Sequence, residues 1–214
     1  VRTKQTSVET NFASHVLGSG MQPNDLNFQV NSAAPAQTIV PALSVVVPIY
    51  NDGYLAEPFC AELKLVFEPF FGTADLSGFL EVIFVDDGSD NDSIDLLRKL
   101  ASSFSYVRVI ELSRNFGQHI ALSCGLTYAT GEMVVTLNVD MQDPPAELPR
   151  LIEHMKKGGW DFIQAIRKVR KDPFFKCFSS RSFYSVFNKL AGFKLPENPT
   201  SIRLMNRRYV DAFN

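Results

Sequence analysis

Two short polar runs in this sequence carry side chains able to do chemistry together. One is Asp86-Asp87-Gly88-Ser89, followed by Asp90, Asn91 and Asp92; the other is Asn138-Val139-Asp140-Met141-Gln142-Asp143. A carboxylate only accepts hydrogen bonds, so paired acids suit the ring N–H of a nucleobase or the hydroxyls of a ribose. Two acids held side by side are costly, and donors or positive charge are expected to meet them. In the second run the oxygen side chains alternate, and alternate side chains of an extended segment point the same way. Asn138, Asp140 and Gln142 then face one hard cation, Mg²⁺ or Mn²⁺, with diphosphate oxygens completing its shell. The first run also has a plainer reading, as acids that merely cap a helix, and three polar residues at a strand end, as in the second, often occur by chance.

Other runs have the same double character. In Pro48-Ile49-Tyr50-Asn51-Asp52, Tyr50 offers a ring to stack on a base and Asp52 an acceptor; the alternative is a strand-to-helix turn capped by Asn51 or Asp52. Ser113-Arg114-Asn115-Phe116-Gly117-Gln118-His119 is either a helix start that binds an anion with help from Arg114, or a capped start with exposed polar residues. His119 stands far in sequence from His15 and His154, which is not the spacing of a metal set. Arg167-Lys168-Val169-Arg170-Lys171, with Lys176 and Arg181, is either a solvated basic face or a patch for phosphates or a membrane surface. The sequence has no GxGxxG, Walker loop, GxSxG or HExxH, which weighs against a nicotinamide-dependent Rossmann enzyme.

These runs need elements to hold them, and the periodicity supplies those. Leu43–Val47, Glu81–Val85, Val107–Leu112, Met133–Leu137 and Phe162–Ile166 read as buried strands: short apolar runs bounded by turn residues. Between them, Phe59, Leu63, Val66, Phe67 and Phe70 fall at helical spacing. Ile94, Leu97 and Leu100 form the inward face of a second helix capped by Asp92 or Ser93. Ala121, Cys124, Gly125 and Tyr128 mark a third. Pro144 and Pro145 open a fourth, with Leu148, Leu151, Ile152 and Met155 on one face. Phe174–Leu190 reads as a further helix. Strands alternating with helices predict an α/β fold with a doubly wound, mainly parallel sheet. Such sheets bind ligands beyond the carboxyl ends of their strands, where the polar runs sit.

The 214 residues suffice for one domain with a core. Residues 1–42 are polar, rich in Ser, Thr, Asn, Gln, Ala and Pro, and read as an extension ordered only where something docks it. The compact domain is expected over 43–214. A formal net charge of -2 gives no support to nucleic-acid binding. Cys60, Cys124 and Cys177 are odd in number and widely spaced, as in a protein of a reducing compartment. No secretory signal is evident, and no apolar run approaches the ~18 to 20 residues of a membrane span.

Taken in order, VVVPIYND, VIFVDDGSDND, LSRNFGQH, TGEMVVTLNVDMQDPP and IRLMNRR resemble the inverting family-two glycosyltransferases of GT-A fold. The likeness runs from about Leu43 to the C-terminus and is greatest to the polyprenyl-phosphate branch: dolichol-phosphate mannose synthase, bactoprenol glucosyltransferases and the undecaprenyl-phosphate aminoarabinose transferase, whose GQH this chain shares. The resemblance implies a UDP- or GDP-sugar donor bound by Pro48, Tyr50, Asp52, Asp86, Asp87, Gln118 and Asn138, with Arg167 and Arg181 near the phosphates. It implies Mg²⁺ or Mn²⁺ held by Asn138, Asp140 and Gln142. Asp140 is the acid expected to be essential for catalysis. The resemblance also implies a polyprenyl-phosphate acceptor, dolichyl or undecaprenyl, at the cytoplasmic face of a membrane, in a protein expected to continue and be anchored beyond residue 214. Two positions depart from the pattern: Asn138 stands where the family has its first metal aspartate, and Ser201 where glucosyltransferase relatives carry a carboxylate assigned as base. These departures motivate an alternative, a degenerate domain that binds a nucleotide sugar or a partner without turnover.

Overall fold

The computed structural model describes residues 28–31, 40–166 and 199–214. Seven strands form one sheet: β1 (Phe28–Asn31), β2 (Leu43–Ile49), β3 (Leu80–Asp86), β4 (Val107–Leu112), β5 (Met133–Thr136), β6 (Phe162–Ile166) and β7 (Pro199–Asn206). The helices are α1 (Ala56–Phe71), α2 (Ser93–Ser103), α3 (Gln118–Tyr128), α4 (Leu148–Gly158) and α5 (Arg207–Phe213). The strand order is β1-β4-β3-β2-β5-β7-β6. β4, β3, β2 and β5 are parallel, whereas β1, β6 and β7 join antiparallel.

The central strands are continuous apolar runs because both of their faces are covered. Every residue of β3 is buried, as is all of β2 except Pro48. Alternate residues feed two cores. Val45, Val47 and Phe84 pack with Phe59, Leu63 and Phe67 of α1, Leu97 of α2 and Ile152 of α4. Val46, Ile83 and Val85 pack with Ala121, Leu122 and Cys124 of α3 and Val210 of α5. Gly125 lets α3 press onto β2, since a Cβ there would lie 2.3 Å from Val46 Cγ1. Burial pushes the Cys60 thiol up to about 12, with help from Glu57, and that of Cys124 also to about 12, so both behave as small core apolar groups.

The topology creates the crevice. The chain steps from β2 to β3 to β4, then returns over β2 through α3 and lays β5 on the opposite side. The winding therefore reverses between β2 and β5, and their carboxyl ends splay apart there.

Some elements differ from the expectation. Within 1–42, Phe28–Asn31 pairs with β4 from Phe28↔Leu112 to Asn31↔Val109, satisfying backbone groups that β4 would otherwise present at an edge. β5 ends at Thr136, one residue before the expected Leu137. Ser93 caps no helix amide; its Oγ accepts from Gly53 N at 2.9 Å, tying α2 to the loop after β2. α5 is capped by Asn206, whose side chain accepts from Tyr209 N at 2.8 Å. The expected helix at Phe174–Leu190 lies outside the described residues.

Candidate functional site

A cavity of about 330 Å³ opens at the β2/β5 reversal, lined by Pro48, Ile49, Tyr50, Asp52, Asp87, Asn115, Gly117, Gln118, Asn138, Val139 and Asp140. Segments far apart in sequence thus meet in one place. Tyr50 is 45% exposed, so its ring is open to an incoming planar group. Asp52 is also exposed. Asn51 adopts φ 64°, a left-handed conformation that asparagine tolerates. Its Oδ1 accepts from Asp90 N at 3.1 Å, and its N–H donates to Ser89 Oγ at 2.9 Å.

The two acids after Val85 have separate surroundings. Asp87 is 3% exposed yet lines the cavity, and its oxygens accept from Phe116 N at 2.8 Å and Gly117 N at 2.9 Å. Its own N–H donates to Ile49 O at 2.8 Å. It thereby clamps the start of α3 against the ends of β2 and β3. Asp86 lies outside the cavity lining and accepts from Ser89 Oγ at 2.5 Å and Ser89 N at 3.2 Å. Burial raises its carboxyl above the ordinary value, with the two Ser89 bonds pulling the other way. Gly88 makes the turn possible at φ 66°, and a Cβ there would meet Arg114 C at 2.3 Å.

After β5 the chain turns instead of running on extended. Met141 takes φ 54°, and Asp140 Oδ1 accepts from Gln142 N at 3.1 Å. The alternation expected over Asn138, Asp140 and Gln142 therefore breaks at Met141. Asn138 and Asp140 face the cavity, and Gln142 lies beyond its lining. Asn138 Oδ1 accepts from Gln118 Nε2 at 2.9 Å.

Asn138 and Asp140 present hard oxygen donors on one wall, a set that fits Mg²⁺ or Mn²⁺ if diphosphate and water supply most of the shell. Among the described residues no group of three His, Cys, Asp or Glu could hold a metal without such help. With Asp52, Asp87 and Asp140 around one cavity, the site favours ligands rich in N–H, O–H or bound cation.

Other expected residues sit elsewhere. His119 lies outside this cavity and lines an adjoining one. Arg114 is exposed, with its guanidinium carbon 4.8 Å from the Phe116 ring centre. Ser201, on β7, is bound to Asp143: its N–H and Oγ both donate to Oδ2, at 2.7 and 2.8 Å. Arg167 and Arg181 lie outside the described residues. The sequence reading singled out neither Asn115 nor Asp143. Asp143 closes the metal-type run but was given no role there, and its one available signal was an acid before Pro144-Pro145.

The family model described as glycosyl transferase family 2 matches residues 44–213. An uncharacterized glycosyltransferase from Synechocystis sp. is 35% identical over 171 residues, 79% of this chain and 52% of that protein. The undecaprenyl-phosphate 4-deoxy-4-formamido-L-arabinose transferase of Yersinia enterocolitica is 31% identical over 175 residues, 79% of this chain and 50% of that one. The chain thus spans about half the length of these curated relatives. Among solved structures, a mannosyltransferase from Pyrobaculum calidifontis in complex with GDP-Man and Mn²⁺ has a TM-score of 0.57 at 22% identity, covering 85% of this chain and 49% of that one. Glucosyl-3-phosphoglycerate synthase from Mycobacterium tuberculosis has a TM-score of 0.55 at 20% identity, covering 82% and 63%.

Proposed function

On the premise that this chain belongs to glycosyl transferase family 2, and has the GT-A fold of its structural neighbours, we propose that it transfers a sugar from a UDP- or GDP-sugar to a polyprenyl phosphate with inversion. One observation carries the reading: the reversal between β2 and β5 gathers Tyr50, Asp52, Asp87, Asn138 and Asp140 into a single cavity. The named activity of the Yersinia relative points to the acceptor.

In this reading the Tyr50 ring stacks on the base, while Asp52 and Asp87 accept from the nucleoside. Asp86 supports from behind by shaping the turn at Ser89. Gln118 and Asn138 form the wall beside the sugar and diphosphate, and Arg167 and Arg181 serve the phosphates. Asp140 and Asn138 hold Mg²⁺ or Mn²⁺ with Gln142 alongside; when bound, the ion neutralises the departing diphosphate.

Ser201 in place of a carboxylate is tolerable for this acceptor. A phosphate monoester has a second pKa near ~6, so at neutral pH the nucleophilic oxygen is largely unprotonated and needs no base. Placing it against the sugar and stabilising the leaving group are the larger tasks. Among the described residues no helix is long and apolar enough to cross a membrane; in this reading the acceptor lipid is met at a cytoplasmic membrane face.

The test incubates the full-length protein in membranes with labelled UDP- and GDP-sugars. Transfer of label into the lipid phase, abolished by Asp140→Ala, is expected. The binding-module alternative draws on the Gln118–Asn138 bond, which occupies an oxygen otherwise open to a cation. Nucleotide-sugar binding without lipid label would establish that alternative instead.

A further inference from the structure

Gln118 and Asn138 both line the β2/β5 cavity, and they meet there: Gln118 Nε2 donates to Asn138 Oδ1 at 2.9 Å. The backbone under each side chain is anchored. Asn138 lies between Leu137 and Val139, which are 1% and 4% exposed, and Leu137 N donates to Val46 O at 3.1 Å. Gln118 is the first residue of α3, directly after the Gly117 N–H that Asp87 grips. The carboxamides themselves sit at the rim, Gln118 exposed and Asn138 half-buried. What is left free to turn is the end of each side chain.

A carboxamide has an acceptor end and a donor end of nearly equal shape. A hydrogen bond between two carboxamides can therefore run in either sense with the side chains in the same places. In the sense observed, Gln118 donates and the Asn138 oxygen is occupied. The group Asn138 then offers to a ligand is its N–H₂, which suits an anion. In the opposite sense Asn138 Nδ2 donates to Gln118 Oε1, and the Asn138 oxygen is offered, which suits a cation. An aspartate at 138 would have no donor end and could present only oxygen.

We propose that Gln118 and Asn138 form a reversible amide pair that lets the cavity hold a nucleoside diphosphate either with or without a divalent cation. The proposal rests on the donor-site reading above and adds to it a metal-independent mode of binding, with Gln118 as the positioning residue. Without the ion, Asn138 Nδ2 donates to a phosphate oxygen. The positive end of α3 lies beside it, since Gly117 and Gln118 line the same cavity. With the ion, both amides turn over and the Asn138 oxygen joins Asp140 on the cation. The nearby acids do not forbid the first mode. Asp87 is already engaged by Phe116 N and Gly117 N, and Asp140 Oδ1 by Gln142 N.

The test titrates the full chain calorimetrically with UDP and with GDP, in Mn²⁺ and again with the cation removed by EDTA. Wild type should bind one of the two nucleotides in both conditions, more weakly in EDTA. Asn138→Asp replaces a donor to phosphate with a like charge, so its loss on chelation should be at least about tenfold larger than the wild-type loss. Gln118→Glu leaves Asn138 in place but only accepts, which holds Asn138 in the cation sense. It should keep its affinity in Mn²⁺, which also reports an intact fold, and lose about threefold or more beyond wild type on chelation. A readout free of added charge comes from wild type by NMR. The Gln118 side-chain amide protons should move upfield when Mg²⁺ is added to the nucleotide-bound protein, because they lose the Asn138 oxygen; an unmoved signal overturns the reversal. A larger chelation loss in Asn138→Asp alone overturns the role of Gln118. Equal losses in wild type and both variants, or wild-type binding that vanishes in EDTA, overturn the pair and leave the donor site standing. A wild type that binds neither nucleotide in Mn²⁺ overturns the donor-site reading and the pair with it.

Discussion

The two ends of the central sheet handle buried acids in opposite ways. At the amino end of β3, Glu81 is 6% exposed and its carboxylate accepts from Ser44 Oγ at 2.5 Å, Thr130 N at 2.9 Å and Thr130 Oγ1 at 3.1 Å, and pairs with Arg108. Ser44 Oγ also accepts from Gly131 N at 2.8 Å, and Arg207 donates to Gly131 O and Ala129 O. That end is a nearly closed network, in which Arg108 Nε is the one buried side-chain donor without a partner among the described residues. At the carboxyl end the acids are also hydrogen-bonded, but around a cavity: Asp87 grips two amides, and exposed Asp140 has an intraloop bond to Gln142 N. The lesson is that an acid near a strand terminus says little by itself. Whether protein groups close around it or a cavity opens beside it separates a structural acid from a binding one.

The sharpest break in that contrast is Glu81→Ala. It leaves Arg108 without its carboxylate and Thr130 N and Ser44 without their acceptor, at a cost of about 3–5 kcal/mol. Denaturant unfolding should show the loss, whereas nucleotide affinity of the folded fraction should hold; a loss below about 1 kcal/mol would mean that the amino end is not closed. Asp140→Ala is expected to do the reverse. Metal-dependent nucleotide affinity should drop more than tenfold, about 1.4 kcal/mol, with little change in the unfolding midpoint, and an unchanged calorimetric titration would remove Asp140 from the site. Asn138→Asp adds a charge beside the cation position, and Mn²⁺ affinity should rise severalfold, about 1 kcal/mol in a wet site; weaker binding would show that the amide is the better fit. The smallest effect belongs to Asp86. Its folded carboxyl lies above the ordinary value, chiefly through burial. It is therefore costless while protonated, and the protein loses stability as pH rises through that folded value. Asp86→Asn should remove this slope, so unfolding curves of variant and wild type should diverge with rising pH in the acid range; parallel curves would show that Ser89 fully offsets the burial.

Much of this arrangement was legible in the residues. The β-branched runs of β2 and β3 announced doubly covered strands, and the polar motifs fell at carboxyl ends because a reversing α/β sheet places its crevice there. Two features were not legible. The pairing of Phe28–Asn31 with β4 uses backbone groups, which leave little trace in side-chain pattern. The left-handed turn at Met141 is carried by a residue type that does not advertise it. The different roles of Asp86 and Asp87 were discernible in principle, because successive strand residues point to opposite sides.

The Asp87 clamp bears on the thermodynamics of ligand capture. Three loops that would otherwise fluctuate independently are joined by the bonds from Phe116 N, Gly117 N and Asp87 N. The conformational entropy of ordering them is spent during folding, so an arriving ligand does not have to supply it. Amide hydrogen exchange registers this directly: Phe116 and Gly117, on a loop at the molecular surface, should exchange at rates set by opening of the sheet rather than by local fraying.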